Sequence, residues 1–249
     1  MKATLAQLAR GLGDAVFPPI CVHCRELIET NGQEAGGFRH LCPRCVTQLE
    51  FGHAPQCTTC GHPFYGVVEG ERMCPHCEGL DPAFREGRTA VLFKGPVRAL
   101  VIELKYHRGL HVLTDMAEIL RRAPDVLEFV RGAVLVPVPL HPRKERERGF
   151  NQSRQLARAF ARAAGGGTRV VEPLRRTVDT RTQTRLDRRA RQENLKNAFA
   201  LAPRRRINPT DRLVLVDDVF TTGATLNACA AVLRRAGCVN LDVATFGHG

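Results

Sequence analysis

Asp217 and Asp218 sit between a short β-branched run, Leu213–Val216, and a turn of small hydroxyl and glycine residues, Thr221-Thr222-Gly223-Ala224-Thr225. The apolar run has the length of a strand buried on both faces. Leu226, Cys229, Ala230 and Leu233 then recur at helical spacing, and Gly237 follows as a stop signal. A Thr/Gly turn at a helix start aims backbone N–H groups and hydroxyls at one point, where the helix dipole also favours an anion. Gly223 permits close approach of the backbone to a phosphate. Two carboxylates at the carboxyl end of a buried strand lie where open α/β sheets bind ligands, and they suit vicinal hydroxyls. Together these residues describe a ribose 5-phosphate site. The competing reading is a buried strand whose acidic pair only caps or solvates the turn.

The order strand, two acids, T-T-G-x-T resembles the phosphoribosyl diphosphate motif of type I phosphoribosyltransferases, with no departure in Asp217–Thr225. The resemblance implies that Asp217 and Asp218 face ribose hydroxyls in a catalytic site. It implies also that Thr221, Thr222, Gly223, Ala224 and Thr225 hold the 5-phosphate.

Eight of the ten cysteines form four C-x-x-C pairs in the first third of the chain: Cys21/Cys24, Cys42/Cys45, Cys57/Cys60 and Cys74/Cys77. One such turn supplies two corners of a tetrahedron and a second closes it. The spacings predict two consecutive Cys₄ zinc ribbons with closed, structural metal sites, whose binding folds a segment poor in large apolar residues. Redox thiols are the alternative. His23, His40, His62 and His76 lie near the ligands, but eight thiolates fill two sites, so the histidines are expected at the surface or behind the ligands. Cys229 and Cys238 are expected to be buried as small apolar residues.

These groups need a scaffold. A chain of 249 residues with 43% hydrophobic content holds one large domain or two smaller ones. No apolar run approaches the roughly 18 residues of a membrane span. The start of the chain, with Leu5, Leu8 and Leu12 broken by Gln7 and Arg10, reads as a short amphipathic helix and not as a signal peptide, which predicts a cytoplasmic protein. Cysteines stop near Gly79–Glu86, and this sets the predicted division: a double zinc ribbon over 1–85 and an α/β domain over 86–249. Strands are predicted at Thr89–Phe93, Val134–Val138 and Leu213–Val216, with weaker ones at Val170-Val171, Ala198–Leu201 and Leu241–Phe246. Helical stripes fall between them at Val97–Leu104, Leu113–Leu120 and Asn151–Ala164. The alternation predicts a doubly wound, mostly parallel sheet.

Charge is uneven. Residues 139–212 carry 20 Lys and Arg against 7 Asp and Glu, more than the whole formal net charge of +12, whereas residues 1–80 carry 6 against 8. An electrostatic nucleic-acid surface is therefore expected in the central block and not on the ribbons. Within that block a proline-restricted loop, Leu140-His141-Pro142-Arg143, follows a buried strand. Arg143, Lys144, Arg146 and Arg148, at the end of this loop and in the mixed-charge run up to Gln152, could hold a diphosphate by charge-assisted hydrogen bonds. Arg175–Phe199, with Thr180, Thr182, Gln183 and Thr184 between arginines, reads as a flap or arm. For any single arginine the solvated face is the simpler account.

LKYHRG at Leu104–Gly109, VPVPLHPRKERERGFNQS at Val136–Ser153, TRTQTRLDRRARQENLKNAF at Thr180–Phe199 and LVLVDDVFTTGAT occur in this order behind the paired cysteines. Together they resemble the ComF family of competence-associated phosphoribosyltransferase-like proteins over nearly the whole chain. The resemblance implies a type I phosphoribosyltransferase fold, Rossmann-like, fused to a double zinc ribbon. Its implied role is handling incoming single-stranded DNA alongside competence machinery proteins, and Leu140, His141, Pro142 and Arg143 become its diphosphate loop. Three functions stay open: a DNA-handling competence protein that binds phosphoribosyl diphosphate or a nucleotide; an active phosphoribosyltransferase using Mg²⁺ as diphosphate departs; and a ribbon adaptor with a vestigial α/β half.

Overall fold

The computed structural model describes residues 18–28, 36–66, 70, 72–178, 197–203 and 207–249. The amphipathic N-terminal stretch and the arginine-rich run 179–196 lie outside the described residues. Along the chain come β1 (Gly87–Leu92), α1 (Gly95–Tyr106), α2 (Leu113–Arg121), α3 (Pro124–Val130), β2 (Val134–Pro137), α4 (Pro142–Arg148), α5 (Gln152–Ala164), β3 (Arg169–Val170), β4 (Leu174–Arg176), β5 (Phe199–Leu201), β6 (Leu213–Phe220), α6 (Ala224–Arg235) and β7 (Leu241–His248).

Five strands make one sheet in the order β1-β7-β6-β2-β3, every pairing parallel, and β4 and β5 form a separate antiparallel pair. Parallel neighbours need crossovers, and the helices supply them on both faces. Side chains of β6 alternate between the two layers. Val214 and Val216 join the core under α1, α2, α3 and α5, and Leu213 and Leu215 join the core under α6. This is the period of two that a doubly covered strand requires. The expected doubly wound α/β architecture is the one observed, with β6 running four residues past the predicted end so that Asp217 and Asp218 belong to the strand.

The ribbons straddle one edge of this sheet. Cys21, Ile28, Phe38, Leu41 and Cys45 of the first pack into the core on the α1–α3 face. Cys57, Cys60, Cys74, Cys77, Leu80 and Phe84 of the second pack into the core on the α6 face. Residues 50–52 between them run antiparallel along β1: Leu92 N–H donates to Glu50 C=O at 2.8 Å, and Gly52 N–H to Ala90 C=O at 2.9 Å. An open sheet edge, with its unpaired backbone groups, is thereby covered. A Cβ at Gly52 would lie 2.4 Å from the Thr89 carbonyl oxygen, so the contact requires glycine. Ribbon one is held further by buried Asp115 of α2, which accepts from the N–H groups of Arg39 at 3.0 Å and His40 at 2.8 Å. The segment expected to lack a core of its own shares the cores of its neighbour.

Among the described residues no helix is long and apolar enough to cross a membrane.

Candidate functional site

The two zinc sites assemble as the spacing predicts. Cys21, Cys24, Cys42 and Cys45 bring their sulfurs within 4.8 Å of one another, and so do Cys57, Cys60, Cys74 and Cys77. Individual separations are 3.6 Å for Cys24–Cys42, 3.9 Å for Cys57–Cys77 and 3.4 Å for Cys60–Cys74. A tetrahedron with Zn–S near 2.3 Å has edges of about 3.8 Å, so both sets fit zinc. In the second site the N–H groups of Cys74 and His62 donate to the sulfurs of Cys57 and Cys60 at 3.4 Å each, which favours thiolates there. Thiolate-only sets of four leave no open position, so both sites are structural. Cys229 and Cys238 are buried in the core on the α6 face, as expected.

The second candidate site lies at the carboxyl edge of the sheet, between β2 and β6. After β2 the chain crosses the α5 face to reach β3; after β6 it crosses the α6 face to reach β7. The strand order therefore reverses between these two strands. Loops leaving the paired strand ends diverge to opposite faces and open a crevice, the position where open α/β sheets bind ligands. Leu140–Arg143 leave one wall of it and Asp217–Thr225 the other, because Val138 N–H still pairs with Val216 C=O at 2.9 Å.

The acidic pair is built into a network. Asp217 Oδ1 accepts from Ser153 Oγ at 2.7 Å and from the Asp218 N–H at 2.9 Å. Asp218, buried, is ion-paired through Oδ2 to Lys105 Nζ at 2.9 Å, from the last turn of α1. Burial opposes the Lys105 charge, but the Asp218 carboxylate outweighs it and holds the ammonium pKa above its ordinary value. Burial lowers the pKa of Arg148, half-buried at the end of α4, and the Asp218 charge partly offsets that. Two cations thus face two acids.

Lys105 and Ser153 lie in the segments LKYHRG and VPVPLHPRKERERGFNQS, but nothing in their spacing marks them as partners of the acidic pair. The second segment now has a physical account. Asn151 Nδ2 donates to Val138 C=O at 3.0 Å, while its Oδ1 caps α5 by accepting from Ser153 N–H at 3.0 Å. Asn151 thereby ties the end of β2 to the helix that aims Ser153 at Asp217.

Burial, followed by the Asp218 charge, pushes the Asp217 carboxyl up from 3.8 to about 7, against the pull of Ser153 and Lys105. A raised carboxyl pKa favours the protonated folded state, so the contribution to stability is present below about pH 4 and is lost as pH rises through about 7. Thermal unfolding of the ligand-free wild type should therefore show a midpoint that declines across this window. Asp217→Asn, which keeps an acceptor for Ser153, should flatten the decline; an unchanged pH profile in the variant would count against the assignment.

The turn has the shape an anion requires. Gly223 is the N-cap of α6 with φ +70°, a left-handed conformation that favours glycine. The first N–H groups of a helix lack intrahelical partners. Thr222 Oγ1 takes one, from Ala224, at 3.4 Å. Asp217, Val219, Phe220 and Thr221–Leu226 line an open cleft beside the helix start.

Leu140–Arg143 differ in form from the expected loop. Pro142 and Arg143 open helix α4, with proline in its first turn and His141 Nδ1 accepting from Arg143 N–H at 3.3 Å as the cap. The alternating charges of Arg143–Arg148 suit a solvated helix, and Arg143 Nε pairs with Glu147 Oε1 at 2.9 Å, four residues on. Arg143 is exposed, and Leu140 and His141 are half-buried.

A double zinc ribbon model matches residues 12–78. The chain is 31% identical over 232 residues to the DNA utilization protein YhgH of Salmonella typhi, covering 91% of this chain and 95% of the relative. The chain belongs to the ComF family. Two further similarities extend it. Competence protein F of Haemophilus influenzae is 29% identical over 90% of this chain and 94% of its own length. Competence protein ComFC of Bacillus subtilis (strain 168) is 24% identical over 79% of each chain. The matched length spans both ribbons and the sheet, so the ComF family relationship concerns the whole arrangement and not the ribbons alone.

Proposed function

We propose that this chain handles incoming single-stranded DNA during natural competence, on an α/β domain whose β2–β6 crevice takes phosphoribosyl diphosphate or a nucleotide. The observation that carries the reading is the coincidence of the acidic pair, the glycine-capped turn and the strand reversal at one point. Relatives named for competence and DNA utilization, similar along most of their length, direct it towards DNA. In this reading residues 1–85 form the ribbon module and 86–249 the ligand-binding domain, in a protein of the cytoplasm that works with the competence machinery. Thr221–Thr225 hold the 5-phosphate, Asp217 and Asp218 the ribose hydroxyls, and Leu140–Arg143 the diphosphate.

A second reading, an active phosphoribosyltransferase, is favoured by the completeness of the acid-and-turn motif. In that reading Asp217 and Asp218 would hold the ribose and the basic residues around Arg143 the diphosphate, and Mg²⁺ bound with the diphosphate would supply charge neutralisation. Calorimetry with phosphoribosyl diphosphate, with and without Mg²⁺, and with single-stranded DNA on the same preparation tests both readings. No binding of phosphoribosyl diphosphate or a nucleoside monophosphate to folded, zinc-replete protein would remove the crevice from the account.

The DNA half makes its own prediction. Residues 139–212 carry the positive excess, so single-stranded DNA affinity should fall steeply with salt as phosphate contacts release counterions. Replacing Arg185, Arg188 and Arg189 together by Ala should weaken binding and flatten the salt slope by about 2. Phe150, Phe160 and Phe199 are the phenylalanines of the block, and all three are buried, so stacking contributes little and sequence preference should be weak. Binding that is insensitive to salt, or carried by residues 1–80, would overturn it.

A further inference from the structure

Three imidazoles converge where the second ribbon meets the end of the sheet. His62 follows the Cys57/Cys60 turn, His76 lies inside the Cys74/Cys77 turn, and His248 is the last residue of β7. Ring centroids are 4.9 Å apart for His62–His76, 4.7 Å for His62–His248 and 4.9 Å for His76–His248, close to an equilateral triangle. One ring nitrogen from each residue lies within 4.8 Å of the others. We propose that His62, His76 and His248 form a third metal site, for a divalent transition ion of the zinc class, distinct from the two thiolate sites and joining the second ribbon to the C-terminal strand.

The geometry suits such an ion. Three imidazoles held to one metal at about 2.0–2.1 Å place their donor nitrogens roughly 3.4 Å apart and their ring centroids roughly 5 Å apart. The centroids already have that spacing, so ring rotation suffices to bring the nitrogens in. His248 is oriented for the task. It is 2% exposed, and its Nε2 lies 3.1 Å from Cys60 Sγ. A ring N–H donating to a metal-bound thiolate leaves the other nitrogen with the lone pair. That nitrogen, Nδ1, is buried and has no hydrogen-bond partner. Buried polar atoms in native structures are paired, and an orphan of this kind calls for a ligand.

Charge and hardness point the same way. A zinc held by four thiolates carries a net charge of about −2, so the flank of the second ribbon attracts a further cation. Imidazole donors select zinc, copper, nickel or cobalt over magnesium and calcium. Three protein ligands also leave a coordination position open, in contrast to the closed thiolate sites. The ion would sit beside the candidate phosphate turn, since Phe220 stacks on His248 with centroids 5.3 Å apart. Two complete sets of four thiolates leave His62 and His76 without a role in the sequence; their partner lies 172 residues beyond His76, and only the fold brings it in.

The test uses the full-length chain with both thiolate sites loaded with zinc. Titration with Co²⁺, followed by calorimetry and visible absorption, should show one further equivalent bound, with weak ligand-field bands and without the intense thiolate charge-transfer band. Because His76 is not buried with His248, His76→Gln should leave the fold and both thiolate zincs intact while weakening the added equivalent at least tenfold. His62→Ala should do the same, which guards against a local folding defect in either variant. His40→Ala is the control: His40 pairs with His111 at 4.6 Å, outside the cluster, and its loss should change nothing. A wild-type protein that takes no third equivalent, or a third equivalent that survives in both His76→Gln and His62→Ala, overturns the proposal.

Discussion

Gly223→Val should abolish binding of phosphoribosyl diphosphate and of nucleoside monophosphates while leaving the zinc content at two thiolate-bound ions per chain. The position is constrained twice over. Its φ of +70° is a conformation that β-branched residues adopt at high energy. A Cβ there would lie 2.6 Å from Phe220 Cζ and 2.9 Å from Leu80 Cδ2, and Phe220 is 1% exposed and packed against His248. Neither neighbour has room to yield, so the turn must change its path and with it the aim of the first N–H groups of α6. Affinity should fall at least a hundredfold, equivalent to about 2.7 kcal/mol. Calorimetry and elemental analysis on the same sample check the two halves of the statement. Wild-type affinity in the variant would show that the turn is not the phosphate site. Asp217→Asn with Asp218→Asn should be milder, costing on the order of 1–3 kcal/mol per lost pairing, with inorganic phosphate still retained at the helix start.

The parts of the candidate site that are local in sequence are legible there. A strand, an acidic pair and a glycine-capped turn occupy thirteen consecutive residues, and four C-x-x-C pairs announce their own geometry. What the sequence could not show depends on contacts between distant residues. Lys105 reaches Asp218 across 113 positions, and Ser153 reaches Asp217 across 64. Neither pairing has a periodic or spacing signature, because each is fixed by how α1 and α5 cross the sheet. Helix α4 was missed for a different reason. It buries no residue of its own, so the apolar stripe by which a helix is recognised is absent, and only its cap, its proline and its i,i+4 charges mark it. The covering of β1 by residues 50–52 was equally hidden, since Glu50-Phe51-Gly52 is too short to read as a strand.

Disrupting the second zinc site should damage the Thr221–Thr225 turn, and disrupting the first should not. The second ribbon runs directly into the back of that turn. Leu80 N–H donates to Cys77 C=O at 3.0 Å, and the Leu80 side chain packs behind Gly223. The next residues are pinned to α6: Asn227 donates to Asp81 C=O at 2.8 Å and accepts from Ala83 N–H at 2.6 Å, and Arg234 Nε donates to Ala83 C=O at 2.8 Å. Loss of the metal frees Cys77 and with it the peptide that positions Leu80, Asp81 and Ala83. The first ribbon packs on the opposite face, against α1 and, through Asp115, α2, and makes none of these contacts to α6 or the turn. All four ligands of the second site are buried, whereas Cys24 of the first is half-buried. Cys77→Ser should therefore lose one zinc and weaken phosphoribosyl diphosphate binding at least tenfold. Cys24→Ser should also lose one zinc, yet hold affinity within about twofold of wild type. Structural zinc contributes as much as 10–16 kcal/mol to the folding of isolated zinc peptides, so both variants should unfold at lower temperature, Cys77→Ser the lower of the two. The contrast between the two affinities is the informative reading. Equal losses from both variants would mean that the ribbons act through general stability, and unchanged affinity in Cys77→Ser would mean that the turn stands without its metal-braced support.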